Sequence, residues 1–245
     1  MNPAIIPPQI VVLSGSGISA ESGLPTFRDS NGIWKNYRWE EVASPEAWKS
    51  KPGLVLEFYN ERRAQAWLAR PNAAHLALGR LENYFNVVVI TQNVDELHER
   101  GGSKNVIHVH GNIAYSRSSM NPDIRYRIDG APIILGQTAQ DGSQLRPDVV
   151  WFGEEVKDME ECRNHMASAD KVLVVGTSLV VYPIASLVHY ARNEAEKVLV
   201  ALEINEVPYG FKFYQSSATS VIPILVDRWI REAGQKLSRP TNCPS

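Results

Sequence analysis

The stretch IVVLSGSGISAESGLPTFR, residues 10–28, decides how the rest of the chain is read. Its first four residues, Ile10-Val11-Val12-Leu13, form an apolar run rich in β-branched side chains and bounded by small residues. A short run without polar alternation predicts a strand buried on both faces, as in a parallel sheet. Gly15-Ser16-Gly17-Ile18-Ser19 follows. Two glycines so close allow a tight turn and bring backbone N–H groups near a ligand. Ser19 is placed to cap a helix, with Ser22 where a capping box prefers Glu. Strand, glycine turn and helix N-terminus together suit a dinucleotide pyrophosphate. The G-x-G-x-x-G fingerprint is incomplete, because residue 20 is Ala and the third glycine arrives at Gly23. A glycine turn without a ligand competes with that reading, so other stretches have to decide.

They repeat the pattern. Residues 85–91 predict a second buried strand, ending in the polar cluster Gln92-Asn93-Val94-Asp95. Residues 106–111 predict a short strand whose alternation puts His108 and His110 on one face. Residues 171–175 run into Gly176-Thr177-Ser178, and residues 198–204 end at Asn205. Residues 222–225 read as the last strand, before a helix over 226–237. Helical patterns fill the gaps at 51–68, from Pro71-Asn72 onward, and from Tyr182-Pro183 through Ala191. On the first of these, Leu54, Phe58, Trp67 and Leu68 mark the apolar positions, while Tyr59 and Arg62 share a face. Strands alternating with helices predict a doubly wound α/β parallel sheet. Its polar and glycine positions fall at strand C-terminal ends, where ligands sit in such sheets.

Residues 1–111 and 146–237 are expected to form this main domain. The interval 112–145 has turn signals at Ser118-Ser119, Asn121-Pro122, Asp129-Gly130 and Asp141-Gly142 but no helical period, so it reads as a small loop-and-strand insert. The segment 148–154 reads as extended and 238–245 as a disordered tail. Trp34, Tyr37 and Trp39 suit either a flap over a ligand or a satellite core.

With 245 residues, 44% of them hydrophobic, the chain can bury a large core. A net charge of −2 argues against binding a nucleic-acid backbone. No apolar run reaches the length of about 18 residues needed to span a membrane, and the N-terminus lacks the charged and apolar regions of a signal peptide. Cys162 and Cys243 make neither a disulfide framework nor a Cys₄ metal site. The expectation is a cytoplasmic monomer.

Taken together, GSGISAESGLPTFR (15–28), GIW (32–34), TQNVDELH (91–98), HVHG (108–111), LRPDVVWFGE (145–154), VVGTSLVVYP (174–183) and EIN (203–205) resemble the sirtuins, NAD-dependent protein lysine deacylases with a Rossmann-like fold. The pieces occur in family order over nearly the whole chain. The resemblance implies NAD as cosubstrate and acylated protein lysines as the partner. It implies that Gly15, Ser16, Gly17, Ser19 and Glu21 hold phosphates and adenosine, and that Phe27 and Arg28 close over the nicotinamide ribose. Gln92 would contact that ribose, Asn93 and Asp95 would line the nicotinamide pocket, and Gly176, Thr177, Ser178 and Asn205 would hold the adenosine half. Trp34, Val94 and Ala218 belong to the implied cofactor site as well. Ser16 replaces the usual alanine of Gly-Ala-Gly. His110 matches the general base, with Asn93 and Asp95 as its catalytic partners, and His108 is structural. The acyl oxygen attacks C1′ of the ribose, nicotinamide leaves, and a ribose hydroxyl must then lose a proton. An imidazole does this at neutral pH, typically for about 10²–10⁴-fold in rate.

Val150, Trp151, Phe152 and Gly153 match the acyl-lysine groove, where a substrate strand would pair. Tyr59 and Arg62 resemble the pair in sirtuins that remove succinyl and other acidic acyl groups, an arginine fork and a phenol around a carboxylate. Sirtuins usually carry two Cys-x-x-Cys pairs holding zinc in the interval 112–145. This chain has no cysteine there, so no metal is expected. An NAD glycohydrolase or mono-ADP-ribosyltransferase using the same pocket, and a non-catalytic nucleotide sensor, are the alternatives.

Overall fold

A computed structural model describes residues 7–26 and 37–237. Nine strands are present among them: β1 Gln9–Ser14, β2 Asn86–Thr91, β3 Val106–His108, β4 Gly111–Ser118, β5 Arg125–Arg127, β6 Leu145–Val149, β7 Lys171–Val175, β8 Glu196–Ala201 and β9 Lys212–Gln215. The helices are α1 Trp39–Val42, α2 Pro45–Ser50, α3 Pro52–Leu68, α4 Ala73–Leu81, α5 Leu97–Arg100, α6 Met159–Ser168 and α7 Ala218–Leu237. Six strands form a parallel sheet in the order β3-β2-β1-β7-β8-β9, and three form an antiparallel sheet in the order β5-β4-β6.

The parallel strands read as unbroken apolar runs because both of their faces are covered. On β1, Ile10 and Val12 point to a core shared with α4 and α7, while Val11 and Leu13 point to one shared with α6 and the 3₁₀ helix Ile184–Tyr190. β1 pairs with β2 on one side and β7 on the other, so the strand order reverses beside β1. That reversal opens a crevice at the carboxyl ends of β1 and β7.

The antiparallel sheet does not stand alone. Val55, Phe58 and Tyr59 of α3 share a core with Ile113, Val149 and Trp151. Leu56 packs with Ile133, Ala139 and Leu145. Buried Arg63 donates from Nε to the Ile113 carbonyl at 2.8 Å, and Asn60 bonds both backbone groups of Ile133 at 2.9 Å. The second layer is therefore built from two stretches, α1–α3 and the 112–145 insert with its flanking strands.

Several expectations need correction. Residues 222–225 are not a strand but part of α7, where Ile222, Leu225, Val226 and Trp229 are buried at helical spacing. Pro223 sits early in that helix and costs it one backbone bond. The sixth parallel strand is β9, an edge strand whose sequence KFYQ carries little apolar signal. Ser19 caps no α-helix, since the chain forms two 3₁₀ turns, Ser16–Ile18 and Ala20–Ser22, and the Ser19 side chain bonds elsewhere. The expected helix after Pro183 is 3₁₀. Trp67 and Leu68 are exposed at the end of α3 rather than in its core. Tyr37 packs edge-on to Phe58, a satellite core, at 5.4 Å between ring centres.

Candidate active site at the carboxyl rim

The crevice widens into a cleft of about 1760 Å³. That exceeds the 300–1,000 Å³ or so of an ordinary small-molecule pocket and leaves room for a dinucleotide together with a second substrate's side chain. Its floor is backbone. Gly17 N–H donates to the Gly176 carbonyl at 2.8 Å, and Gly15 N–H donates to the Val175 carbonyl at 3.0 Å. A Cβ on Gly17 would lie 2.8 Å from Gly176 Cα, and one on Gly176 would lie 2.2 Å from Ile18 N. The glycines are thus needed first for the close approach of two loops. Their N–H groups are spent inside the protein rather than on a ligand.

The turn after β2 forms one wall. Asn93 donates its side-chain amide to the Ser19 hydroxyl at 3.1 Å, and that hydroxyl donates to Asp95 Oδ2 at 3.2 Å. Asp95 Oδ1 accepts the Leu97 N–H at 3.0 Å. Burial raises the Asp95 pKa, and these two hydrogen bonds pull it back only in part. His110 donates from Nδ1 to the Gln92 carbonyl at 3.1 Å. That bond fixes the tautomer with the proton on Nδ1 and leaves the Nε2 lone pair as the basic one. Burial lowers the His110 pKa, with the Gln92 bond opposing, so the ring is neutral at pH 7.

The far end of the cleft is lined by Tyr59, Arg62 and residues 150–153. Tyr59 is buried, its ring edge-on to Phe58 at 5.0 Å, and burial pushes its phenol pKa upward. Arg62 lies over the Phe58 ring at 4.0 Å, and burial lowers its pKa. The 150–154 segment turns rather than running extended. Val150 N–H donates to His110 O at 2.9 Å, Trp151 N–H to Glu154 Oε2 at 2.8 Å, and Phe152 N–H to Ala43 O at 3.1 Å. A partner strand would have to use the remaining backbone groups there.

Gly15, Ser16, Gly17, Ser19, Glu21, Gln92, Asn93, Val94, Asp95, His110, Gly176, Thr177, Ser178 and Ala218 all line the cleft. Glu21 does more, accepting from the Thr219 hydroxyl at 2.6 Å and its N–H at 3.2 Å at the start of α7. Asn205 does not line the cleft, because it sits on an exposed loop beyond β8. Phe27, Arg28 and Trp34 lie outside the described residues. His108 and His110 do not share a strand face, since β3 ends at His108 and only His110 reaches the cleft. Sequence reasoning missed Leu24, Gln65 and the Val180-Val181-Tyr182 wall, all of which line it. Val180, Val181 and Tyr182 are also exposed, an apolar stretch that could have signalled a binding wall.

Residues 15–183 match the Sir2 family, well over half of the chain. The chain belongs to the Sir2 family, the sirtuins. This sirtuin is 50% identical over 230 residues to an NAD-dependent protein deacylase of Helicobacter pylori, covering 93% of this chain and 98% of that one. It is 46% identical over 196 residues to an NAD-dependent protein deacylase of Bacteroides thetaiotaomicron, covering 78% and 84%. A solved Sir2 homologue in complex with NAD superposes with a TM-score of 0.81 at 37% identity, covering 94% of this chain and 91% of that one. A Sir2 variant with a deacetylated peptide and 3′-O-acetyl-ADP-ribose gives 0.75 at 31%, covering 92% and 94%.

The family's usual zinc does not fit the donors of this sirtuin. In the insert, the Ser118 hydroxyl donates to Asp141 at 2.6 Å, stands 2.7 Å from the Ser143 hydroxyl, and accepts the Met120 and Asn121 amides at 3.0 and 2.8 Å. These groups satisfy one another. Tetrahedral thiolate ligation has no thiol to use in residues 112–145.

Proposed function

We propose that this sirtuin is an NAD-dependent protein lysine deacylase that removes acetyl groups and also acidic groups such as succinyl and malonyl, yielding nicotinamide and O-acyl-ADP-ribose. The observation that carries the reading is a neutral His110 of fixed tautomer in one cleft with Tyr59 and Arg62. NAD, when bound, supplies the ribose that accepts the acyl group and the nicotinamide that leaves. The loops at Gly15–Ser19 and Gly176–Ser178 hold its nucleotide end, and Gln92, Asn93 and Asp95 hold the nicotinamide end. His110 takes a proton from a ribose hydroxyl at Nε2. Val150, Trp151, Phe152 and Gly153 hold the substrate lysine, and Arg62 with Tyr59 meets the carboxylate of an acidic acyl chain. The insert works without zinc. The reading includes a cytoplasmic monomer that engages neither nucleic acid nor membrane, in keeping with a net charge of −2.

The test is an assay of NAD with acetyl- and succinyl-lysine peptides, following nicotinamide and O-acyl-ADP-ribose. Arg62→Met is expected to cut kcat/KM on the succinyl peptide by about 10–100-fold, the loss of a charge-assisted pair, and to spare the acetyl peptide. Equal losses on both peptides overturn the carboxylate contact. Nicotinamide release that needs no peptide overturns deacylation in favour of NAD hydrolysis.

A further inference from the structure

Two histidines grip neighbouring peptide groups of the turn that walls the cleft. His110 donates to the Gln92 carbonyl, and His108 stands with Nδ1 3.0 Å from the Asn93 carbonyl. The other nitrogen of His108 lies 2.6 Å from Glu99 Oε1. A carbonyl accepts only, and so does a carboxylate. To meet both, the ring must donate from both nitrogens, which makes it an imidazolium. His110 has one such partner and needs only one proton.

The surroundings agree. Burial pulls the His108 pKa down, but the hydrogen bond and charge of Glu99, the Asn93 carbonyl and the charge of Asp95 together outweigh it and the net shift is upward. The groups facing His108 are Glu99 and His98 of α5 and Asp95 just before it. Asp95 adds attraction. His98 is kept neutral by its own burial and adds no opposing charge at pH 7. The Asn93 residue held in this way is also tied at its N–H to Thr91 Oγ1 at 3.1 Å and at its side chain to Ser19.

We propose that His108 is a positioning residue that works as a cation: paired with Glu99, it pins the Asn93 carbonyl and so aims the Asn93 and Asp95 side chains into the cleft. A neutral ring has one N–H and must release either Asn93 or Glu99. The turn then loosens as pH rises through the His108 pKa, while His110 stays a competent base. The acid limb of activity thus belongs to His110 and the alkaline limb to His108. The activity part of this inference rests on the deacylase reading; the charge state and the anchoring of Asn93 do not.

The experiment uses the full-length wild-type protein and Glu99→Gln. Ring ¹⁵N shifts of His108 are followed against pH, together with hydrogen exchange at the Asn93 amide and kcat on an acetyl-lysine peptide. In the wild type both ring nitrogens are protonated at pH 7. In Glu99→Gln the titration moves down by about one to two units, as expected for loss of an adjacent opposite charge. In the wild type Asn93 exchange rises at least tenfold across the His108 titration as Glu99 takes the remaining ring proton; in Glu99→Gln, whose amide can donate to Nε2 of a neutral ring, that rise and the alkaline limb of kcat are expected to disappear. His108→Gln replaces the ring with an amide that does not titrate and is expected to lose the alkaline limb altogether. A wild-type His108 that is neutral at pH 7 overturns the proposal, whatever the activity. So does a Glu99→Gln protein whose Asn93 exchange and alkaline limb stay where they were. Titration and exchange that behave as expected in a protein without peptide turnover sink the deacylase reading and leave the anchor standing.

Discussion

The rim of the parallel sheet and the antiparallel layer beside it are held by different forces. At the rim, Ile10, Val11, Val12 and Leu13 are fully buried, and the loops beyond β1 and β7 meet backbone to backbone at Gly17 and Gly176. The antiparallel layer adds a set of ion pairs to its apolar packing on α3. Asp148, 1% exposed, is paired with Arg117, Arg125 and Lys157. Arg146 pairs with Glu154 at 2.7 Å, and Arg127 reaches Glu96 at 2.8 Å. Apolar burial and steric fit respond little to salt, whereas partly exposed ion pairs weaken as it rises. The proposed acyl wall on α3 is tied to the charged layer through Asn60 and Arg63. The proposed chemistry therefore sits on the stiff part and substrate choice on the part that ionic conditions can adjust.

The sharpest way to break this contrast is at the rim. In Gly176→Ala the new Cβ meets Ile18 N at 2.2 Å, and the residue sits at φ +64°. Overpacking and a left-handed non-glycine backbone each cost on the order of 1–3 kcal/mol, so a global loss of about 3 kcal/mol or more is expected. Urea unfolding checks it. A protein that keeps its midpoint would mean that the two loops can part without cost.

The matching cut in the layer is Asp148→Asn. The carboxylate is buried but two of its three cations are more than one-third exposed, so the buried-pair penalty is discounted to about 2 kcal/mol. The loss is expected to be local. Hydrogen exchange of β4 and β6 accelerates while β1 keeps its protection. KM for acylated peptide rises more than KM for NAD, and raising salt on the wild type moves the two in the same unequal way. Equal effects on both sheets would merge the two regions into one cooperative unit.

The same contrast explains what could be read from sequence. The β1, β2, β7 and β8 runs were legible because burial on both faces leaves only apolar residues, and the rim loops because close backbone approach admits only glycine. β9 was not legible, since an edge strand such as KFYQ needs no apolar run. Residues 222–225 misled because Ile222 and Leu225 are apolar whether the neighbours lie across a sheet or down a helix, and only the longer spacing to Trp229 separates the two. Most proposed site residues came from motif order and do line the cleft. Asn205 did not, because a strand-end position alone does not say which way its loop turns. The pairing of His108 with Glu99 depends on where β3 stops, which no periodicity marks.

The finest cut is Ser118→Ala, at the polar knot inside the insert. The hydroxyl donates to Asp141, accepts two backbone amides and stands beside the Ser143 hydroxyl, which donates to the same carboxylate. Removing it is expected to cost about 1 kcal/mol, or roughly 2–4 °C in Tm for a chain of this length. The pH dependence carries the sign. The hydrogen bonds from Ser118 and Ser143 hold the Asp141 carboxyl below its ordinary value. Its contribution is complete above the ordinary value near 4 and is lost as pH falls through the lowered one. As pH falls below the ordinary carboxyl value near 4 the wild type should therefore lose Tm faster than Ser118→Ala, so that the two curves converge in acid. Zinc analysis of the purified wild type goes with this measurement. One tightly held ion per chain would mean that a metal, not this knot, closes the layer, and charge would no longer be what separates it from the rim.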